Sequence, residues 1–122
     1  MKIEDYQRKA HEFAFYSSPV INETHGSVNH ELKCDYVYPV MGLSEEAGEV
    51  AGKFAKIIRD KKGMITEEDE EAIVKELGDV CWMVAEICTV IGVKLEDVMS
   101  KNIEKLTDRK HRNALTGSGD NR

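Results

Sequence analysis

No apolar run in this chain approaches the roughly 20 residues a membrane span needs, which excludes a bilayer helix. The first residues, Met1-Lys2-Ile3-Glu4-Asp5-Tyr6, are charged and lack the apolar core of a secretory signal, leaving the cytoplasm as the expected compartment. Basic residues are in the minority: a net charge of −6 argues against a stable nucleic-acid partner. The three cysteines suit a reducing compartment. Cys81 and Cys88 lie too far apart along one helical face to bridge and are expected in the core. Cys34, His25 and His30 lack the second ligand pair that zinc requires. No stretch shows the β-branched alternation of a sheet, and internal repeats, heptads and low-complexity tracts are absent as well.

What remains is a single charged helical domain, expected over 1–115 with a polar tail at 116–122. A first helix is expected from Ile3 to Tyr16, with Ile3, Tyr6, Ala10, Phe13 and Ala14 inward and Ser17-Ser18-Pro19 as its stop. Residues 18–35 lack periodicity and read as a long loop. A second helix is expected to begin near Pro39, a residue favoured in a first turn, and to run to about Asp60. Its apolar face is Val40, Leu43, Ala47, Val50, Phe54 and Ile57, closed by Lys61-Lys62-Gly63. Thr66 caps a third helix whose acidic first turn complements the helix dipole. That helix stops at Gly92. A fourth runs from Leu95 to about Arg109, with Leu95, Val98, Met99 and Leu106 inward. The fold class is therefore all-α, a four-helix bundle.

Two acid pairs interrupt the most apolar stretches of this pattern, Glu46/Glu49 and Glu76/Asp79. Between Leu77 and Ile91 only Asp79, Glu86 and Thr89 are polar, so this helix is expected to be buried over most of its circumference. At about 100° per residue Glu76 shares an arc with Val80, Met83, Val84 and Ile87. A bare carboxylate there must be neutralised, paired or metal-bound. Residues three apart form a two-toothed clamp. If the second and third helices pack antiparallel, the clamps face one another, and Gly48, Gly52 and Gly78 would let the backbones approach. Four carboxylates make an all-oxygen site suited to Mg²⁺, with Mn²⁺ as the alternative metal. A di-iron bundle would need Glu-x-x-His pairs, and the chain has none. On the fourth helix Asn102 is expected to face inward, with Lys101, Lys105 and Arg109 at four-residue steps beside it, a stripe suited to the phosphates of a nucleoside triphosphate.

The block Leu43-Ser44-Glu45-Glu46-Ala47-Gly48-Glu49-Val50, followed after residues 50–75 by Glu76-Leu77-Gly78-Asp79-Val80, resembles the Glu-Glu-x-x-Glu … Glu-x-x-Asp signature of the MazG-like all-α nucleoside triphosphate pyrophosphohydrolases. Asp5-Tyr6-Gln7, Lys101-Asn102-x-x-Lys105-Leu106-x-x-Arg109 and the Gly117–Arg122 tail are similar to a single-domain, phage- and bacteria-associated branch. The resemblance implies the all-α fold shared with dimeric dUTPases. It implies hydrolysis of a (deoxy)nucleoside triphosphate to the monophosphate and pyrophosphate, with Mg²⁺ held by Glu46, Glu49, Glu76 and Asp79. It casts Glu45 as the residue facing the attacking water. Tyr6 and Gln7 become candidates for contact with the base, Lys53 with Lys101, Asn102, Lys105 and Arg109 candidates for contact with the rest of the substrate, and a homodimer or homotetramer the expected assembly. Trp82 could stack on a base but suits packing or a subunit contact better. A phosphoribosyl-ATP pyrophosphohydrolase shares the acid pattern and stays open as an alternative, as does a non-enzymatic helical regulatory module.

Overall fold

A computed structural model describes residues 1–16 and 34–119, the side chains of 34–36 excepted; the expected loop at 18–35 lies almost wholly outside them. Among the described residues there are four helices and no strand: α1 (Ile3–His11), α2 (Cys34–Lys61), α3 (Glu67–Val90) and α4 (Leu95–His111).

The cap signals operate as the residue types dictate. Thr66 and Asp69 form a reciprocal capping box that satisfies two backbone donors at the start of α3. Gly92 ends the helix in the left-handed region (φ 72°), and Val93 N–H closes back on the Cys88 carbonyl at 2.9 Å. Lys61, at the end of α2, bonds both oxygens of Asp69 at 2.7 Å and so ties the α2–α3 turn.

Two boundaries differ from the sequence expectation. α1 stops at His11, five residues early, because Glu12, Phe13 and Ala14 tighten onto carbonyls three residues back and Tyr16 is drawn into the interior. Phe13, expected inward, is 73% exposed. α2 begins at Cys34, with Pro39 inside it. The proline costs one backbone bond in the second turn. Burial of its ring, together with stacking of the adjacent Tyr38 on Tyr16, offsets that cost.

Pairings of Gly42 with Met83, Lys53 with Glu76 and Lys61 with Asp69 show α2 and α3 running antiparallel over most of their length. α1 lies antiparallel on the C-terminal half of α3, where the Trp82 indole donates to the Ala10 carbonyl at 2.9 Å. Trp82 is thus a packing residue. Ala10, Ala85, Cys88 and Leu95 form the core cluster, flanked by Tyr6, Trp82 and Val84. Ile57, Ile73 and Met83 bury the α2–α3 seam.

The tightest glycine contact on the α2–α3 seam, with a side chain and not with backbone, falls at a position that periodicity did not single out. A side chain at Gly42 would meet the Met83 thioether, whereas Gly48, Gly52 and Gly78 face open space. Several expected core positions are also open. Val40, Ala47 and Phe54 of α2 are exposed, as are Leu77 and Cys81 of α3, so α3 is buried along one face and not around its circumference. No described helix is long and apolar enough to cross a membrane.

Candidate metal centre

Glu46, Glu76 and Asp79 converge across the α2–α3 seam, with one carboxylate oxygen from each lying within 4.8 Å of the others. The antiparallel register produces this: Glu46 sits on the seam face of α2, while Glu76 and Asp79 are one turn apart on α3. Glu46 and Glu76 are half-buried and Asp79 is exposed. The Glu46 carboxyl is pushed up by its burial, and then by the charges of Asp79, Glu45, Glu76 and Glu49. Glu46 thus holds its proton more tightly than an isolated glutamate.

Among the cations, Lys53 reaches the cluster, its Nζ lying 2.9 Å from Glu76 Oε1. The lysine is pushed up by that bond and by the charge on Glu76, with Glu49 adding to the effect. A cavity of about 100 Å³ opens beside the pair, lined by Lys53, Lys56, Lys61, Asp60 and Asp69 among others. Lys56 has no counterpart in the sequence reading, although its place three residues after Lys53 was a visible cue.

The remaining expected site residues divide by location. Glu49 stays exposed and outside the triad, close enough to act on Glu46 and Lys53 through charge alone. Glu45 is also exposed and also raises Glu46. Tyr6 is partly buried on α1; burial pushes its hydroxyl up, as do Cys81, Asp79 and Glu86, which places it near the acidic face of α3.

Gln7 acts as a clamp on the α3–α4 turn. Its Nε2 donates to the Val93 carbonyl at 2.9 Å and to Thr89 Oγ1 at 3.3 Å, and its Oε1 accepts from Leu95 N–H at 2.8 Å. Both amide protons are thereby engaged in the fold, which leaves no donor for a base.

The α4 stripe also lies elsewhere. α4 packs chiefly on α1 and α3 and buries only Leu95 and Arg109. Asn102, expected inward, is exposed with Lys101 and Lys105, and Val98, Met99, Ile103 and Leu106 are open too. Periodicity correctly groups these residues on faces; it carries no information on whether another helix covers a face. Arg109 is 4% exposed and donates to the Gly119 carbonyl at 3.3 Å, so it holds the tail.

One functional-looking group escaped the sequence reading. Glu86 is fully buried, accepts from the Tyr16 hydroxyl through Oε2 and bonds His11 Nδ1 at 3.1 Å through the same oxygen. Its cue was a lone carboxylate seven residues after Asp79, on the same helical face.

Hard oxygen donors at this separation fit a divalent cation such as Mg²⁺ or Mn²⁺, and three carboxylates without histidine or cysteine do not fit zinc. Comparison with known proteins agrees with this chemistry. The family described as "MazG nucleotide pyrophosphohydrolase domain" matches residues 39–113, which include α4 and all four acids of the two pairs. The chain is 47% identical over 93 residues to the "Gene 37 protein" of Mycobacterium phage L5, covering 73% of this chain and 82% of the phage protein. It is 38% identical over 72 residues to "Uncharacterized protein YvdC" of Bacillus subtilis (strain 168), covering 55% of this chain and 68% of that one. No solved structure matches.

Proposed function

We propose that this chain, which belongs to the MazG nucleotide pyrophosphohydrolase family, uses Mg²⁺ to split a (deoxy)nucleoside triphosphate into the monophosphate and pyrophosphate, acting on the free nucleotide pool of the cytoplasm. The observation that carries the reading is the convergence of Glu46, Glu76 and Asp79, with Glu46 pushed up by its acidic neighbours. Carboxylates so crowded are under-neutralised by one lysine, and a divalent cation with a polyphosphate supplies the missing positive charge and takes up the remaining coordination.

Glu46, Glu76 and Asp79 would hold the metal, with Glu49 joining by a side-chain rotation from the helix surface. Bound there, Mg²⁺ would neutralise phosphate oxygens and make the attacking water more acidic. Glu45, exposed beside Glu46, would accept a proton from the attacking water. Lys53, paired with Glu76 in the absence of ligand, is positioned to turn to the phosphates as charge builds on the breaking phosphoanhydride. Lys56 lines the adjoining cavity and adds a second cation on the same side. The phosphate cations are thus assigned to α2, next to the acids; the α4 lysines would serve only a substrate that reaches past α1 and α3.

The assembly is read as a homodimer or homotetramer. Exposed Val40, Met41 and Ile58 on α2 and Val74 and Leu77 on α3 leave much of the hairpin's outer surface apolar, and a second copy would cover it. Light scattering at micromolar concentration tests this, and a monomer would remove it.

The decisive assay is release of pyrophosphate from a panel of ribo-, deoxyribo- and damaged nucleoside triphosphates with Mg²⁺ or Mn²⁺. Pyrophosphate together with the monophosphate is expected, and excess EDTA should stop it. Undiminished turnover in EDTA ends the metal reading, and orthophosphate as the product ends the pyrophosphohydrolase one.

A further inference from the structure

Glu86 has one oxygen too many for a structural role. The side chain is 0% exposed, and Oε2 alone takes both donors that reach it, the Tyr16 hydroxyl and His11 Nδ1. With Glu86 ionised, the His11 bond places its proton on Nδ1. Among the described residues, no donor reaches the buried Oε1. A latch between α3 and the chain leaving α1 needs only the oxygen that Tyr16 and His11 share. Folded proteins seldom leave a buried carboxylate oxygen without a donor unless a ligand or water supplies one.

The position of Glu86 says which ligand. It follows Asp79 by seven residues, so it lies about 10 Å further along α3 and within about 20° of the same face. Tyr6 of α1 stands near both acids, since Asp79 and Glu86 each act on its hydroxyl. The metal cluster and Glu86 therefore lie on one face of α3, about 10 Å apart, roughly the span from a nucleotide's phosphates to its base. At the Glu86 end are three aromatic rings. Tyr16 stacks on Tyr38 at 5.3 Å, and Phe15 meets Tyr38 edge-on at 4.9 Å. Residues 13–16 belong to no helix, and Phe15 is 57% exposed. Phe15 can move aside for a flat ring while Tyr16 keeps its bond to Glu86, and aromatic faces suit a nucleobase.

We infer that Glu86 is a specificity-determining residue, its free Oε1 accepting an N–H from an exocyclic amino group of the nucleobase. Cytosine, adenine and guanine are then favoured over uracil and thymine. The inference rests on the pyrophosphohydrolase reading for the place of the phosphates. An amino group approaches Oε1 with a donor. Uracil and thymine offer one imide N–H between two carbonyls, which repel a carboxylate whose other oxygen is fixed by Tyr16 and His11.

The test begins with the unaltered protein and two ligands of equal size, dCMP and dUMP, which differ as 4-amino and 4-oxo pyrimidines. Calorimetry with Mg²⁺ should show dCMP binding at least about tenfold more tightly, as one charge-assisted hydrogen bond allows. Equal affinities overturn the inference. The second arm is Glu86→Gln, whose amide carbonyl can keep the Tyr16 hydroxyl while its NH₂ occupies the place of Oε1. The ratio of kcat/KM for dCTP over dUTP should fall by about 10²-fold. An unchanged ratio in a folded variant makes Glu86 a latch and nothing more. If Glu86→Gln does not fold, the monophosphate comparison decides. Failure of the enzymatic reading itself would appear separately, as no pyrophosphate from any triphosphate.

Discussion

α3 carries two acidic centres on one face, and the helices opposite them make them different. Around Glu76 and Asp79, α2 contributes Glu46, Glu45 and Glu49 against one cation among the described residues, Lys53. Around Glu86, α1 and the residues after it contribute donors, His11 and Tyr16. The first centre is half-open and crowded with like charge, a poor place for carboxylates until a cation arrives. The second is sealed and largely satisfied. A carboxylate in an apolar helix is therefore read by what the facing helix presents: facing acids indicate a cation site, and facing donors indicate an anchor with at most one oxygen to spare.

The sharpest way to break this contrast is to neutralise the crowded centre. Asp79→Asn or Glu76→Gln should reduce pyrophosphate release to background while circular dichroism stays helical, and retained turnover would remove both from the metal site. Glu46→Gln should also raise the melting temperature of metal-free protein, because it removes a charge that burial, and then repulsion from neighbouring acids, push up. A fall would show that the cluster is not strained.

Glu45→Gln should lower turnover by about 10²-fold, in the range for loss of a general base. Mg²⁺ affinity measured by calorimetry should hold; its collapse would make Glu45 a ligand.

At the sealed centre the expected loss is of stability. Glu86→Ala removes a buried group and orphans the Tyr16 hydroxyl, so urea unfolding should show a cost of about 2–4 kcal/mol. A cost below about 0.5 kcal/mol would mean that the anchor holds nothing. Conversely, Mg²⁺ at a hundred times its Kd should stabilise the wild type by about 2.7 kcal/mol and Asp79→Asn not at all. Equal stabilisation of both would place the ion elsewhere.

A third acid gives the smallest effect. Asp69 is held down to about 2 by its bond to Lys61 and then by the Thr66 N–H and hydroxyl. A carboxyl lowered in the folded state adds stability above its unfolded pKa of about 3.9, and that stability is lost as pH falls toward about 2. The melting temperature of Asp69→Asn should thus lie below that of the wild type at pH 7, with the gap closing as the pH approaches 2. A gap independent of pH would point to the cap geometry instead of the charge.

Much of this was legible in the residues. Thr66 with its acidic first turn, Gly92 as a stop and the i,i+3 spacing of Glu76 and Asp79 are local relations fixed by helix geometry, so they need no knowledge of the rest of the fold. The pairing of Glu46 with the α3 acids followed from the short α2–α3 turn, which leaves little choice but antiparallel packing. Glu49 was harder, because 100° per residue spreads an i,i+3 pair over 60°, and the seam accommodates only one of the two inward.

The tertiary structure alone decided which faces are covered. Asn102 and Glu86 both interrupt apolar patterns, yet one is exposed and the other sealed, because α4 buries only Leu95 and Arg109 whereas α1 lies along the second half of α3. Gln7 and Arg109 carry side chains suited to a ligand, but the fold gives them to the α3–α4 turn and the tail. A helix's own sequence sets the direction in which each side chain points. Burial, pairing and proton affinity depend on what arrives from the other side, and for those residues it came from positions about 75 to 90 away across the contact of α1 with α3 and its turn into α4, or about 10 away in the tail.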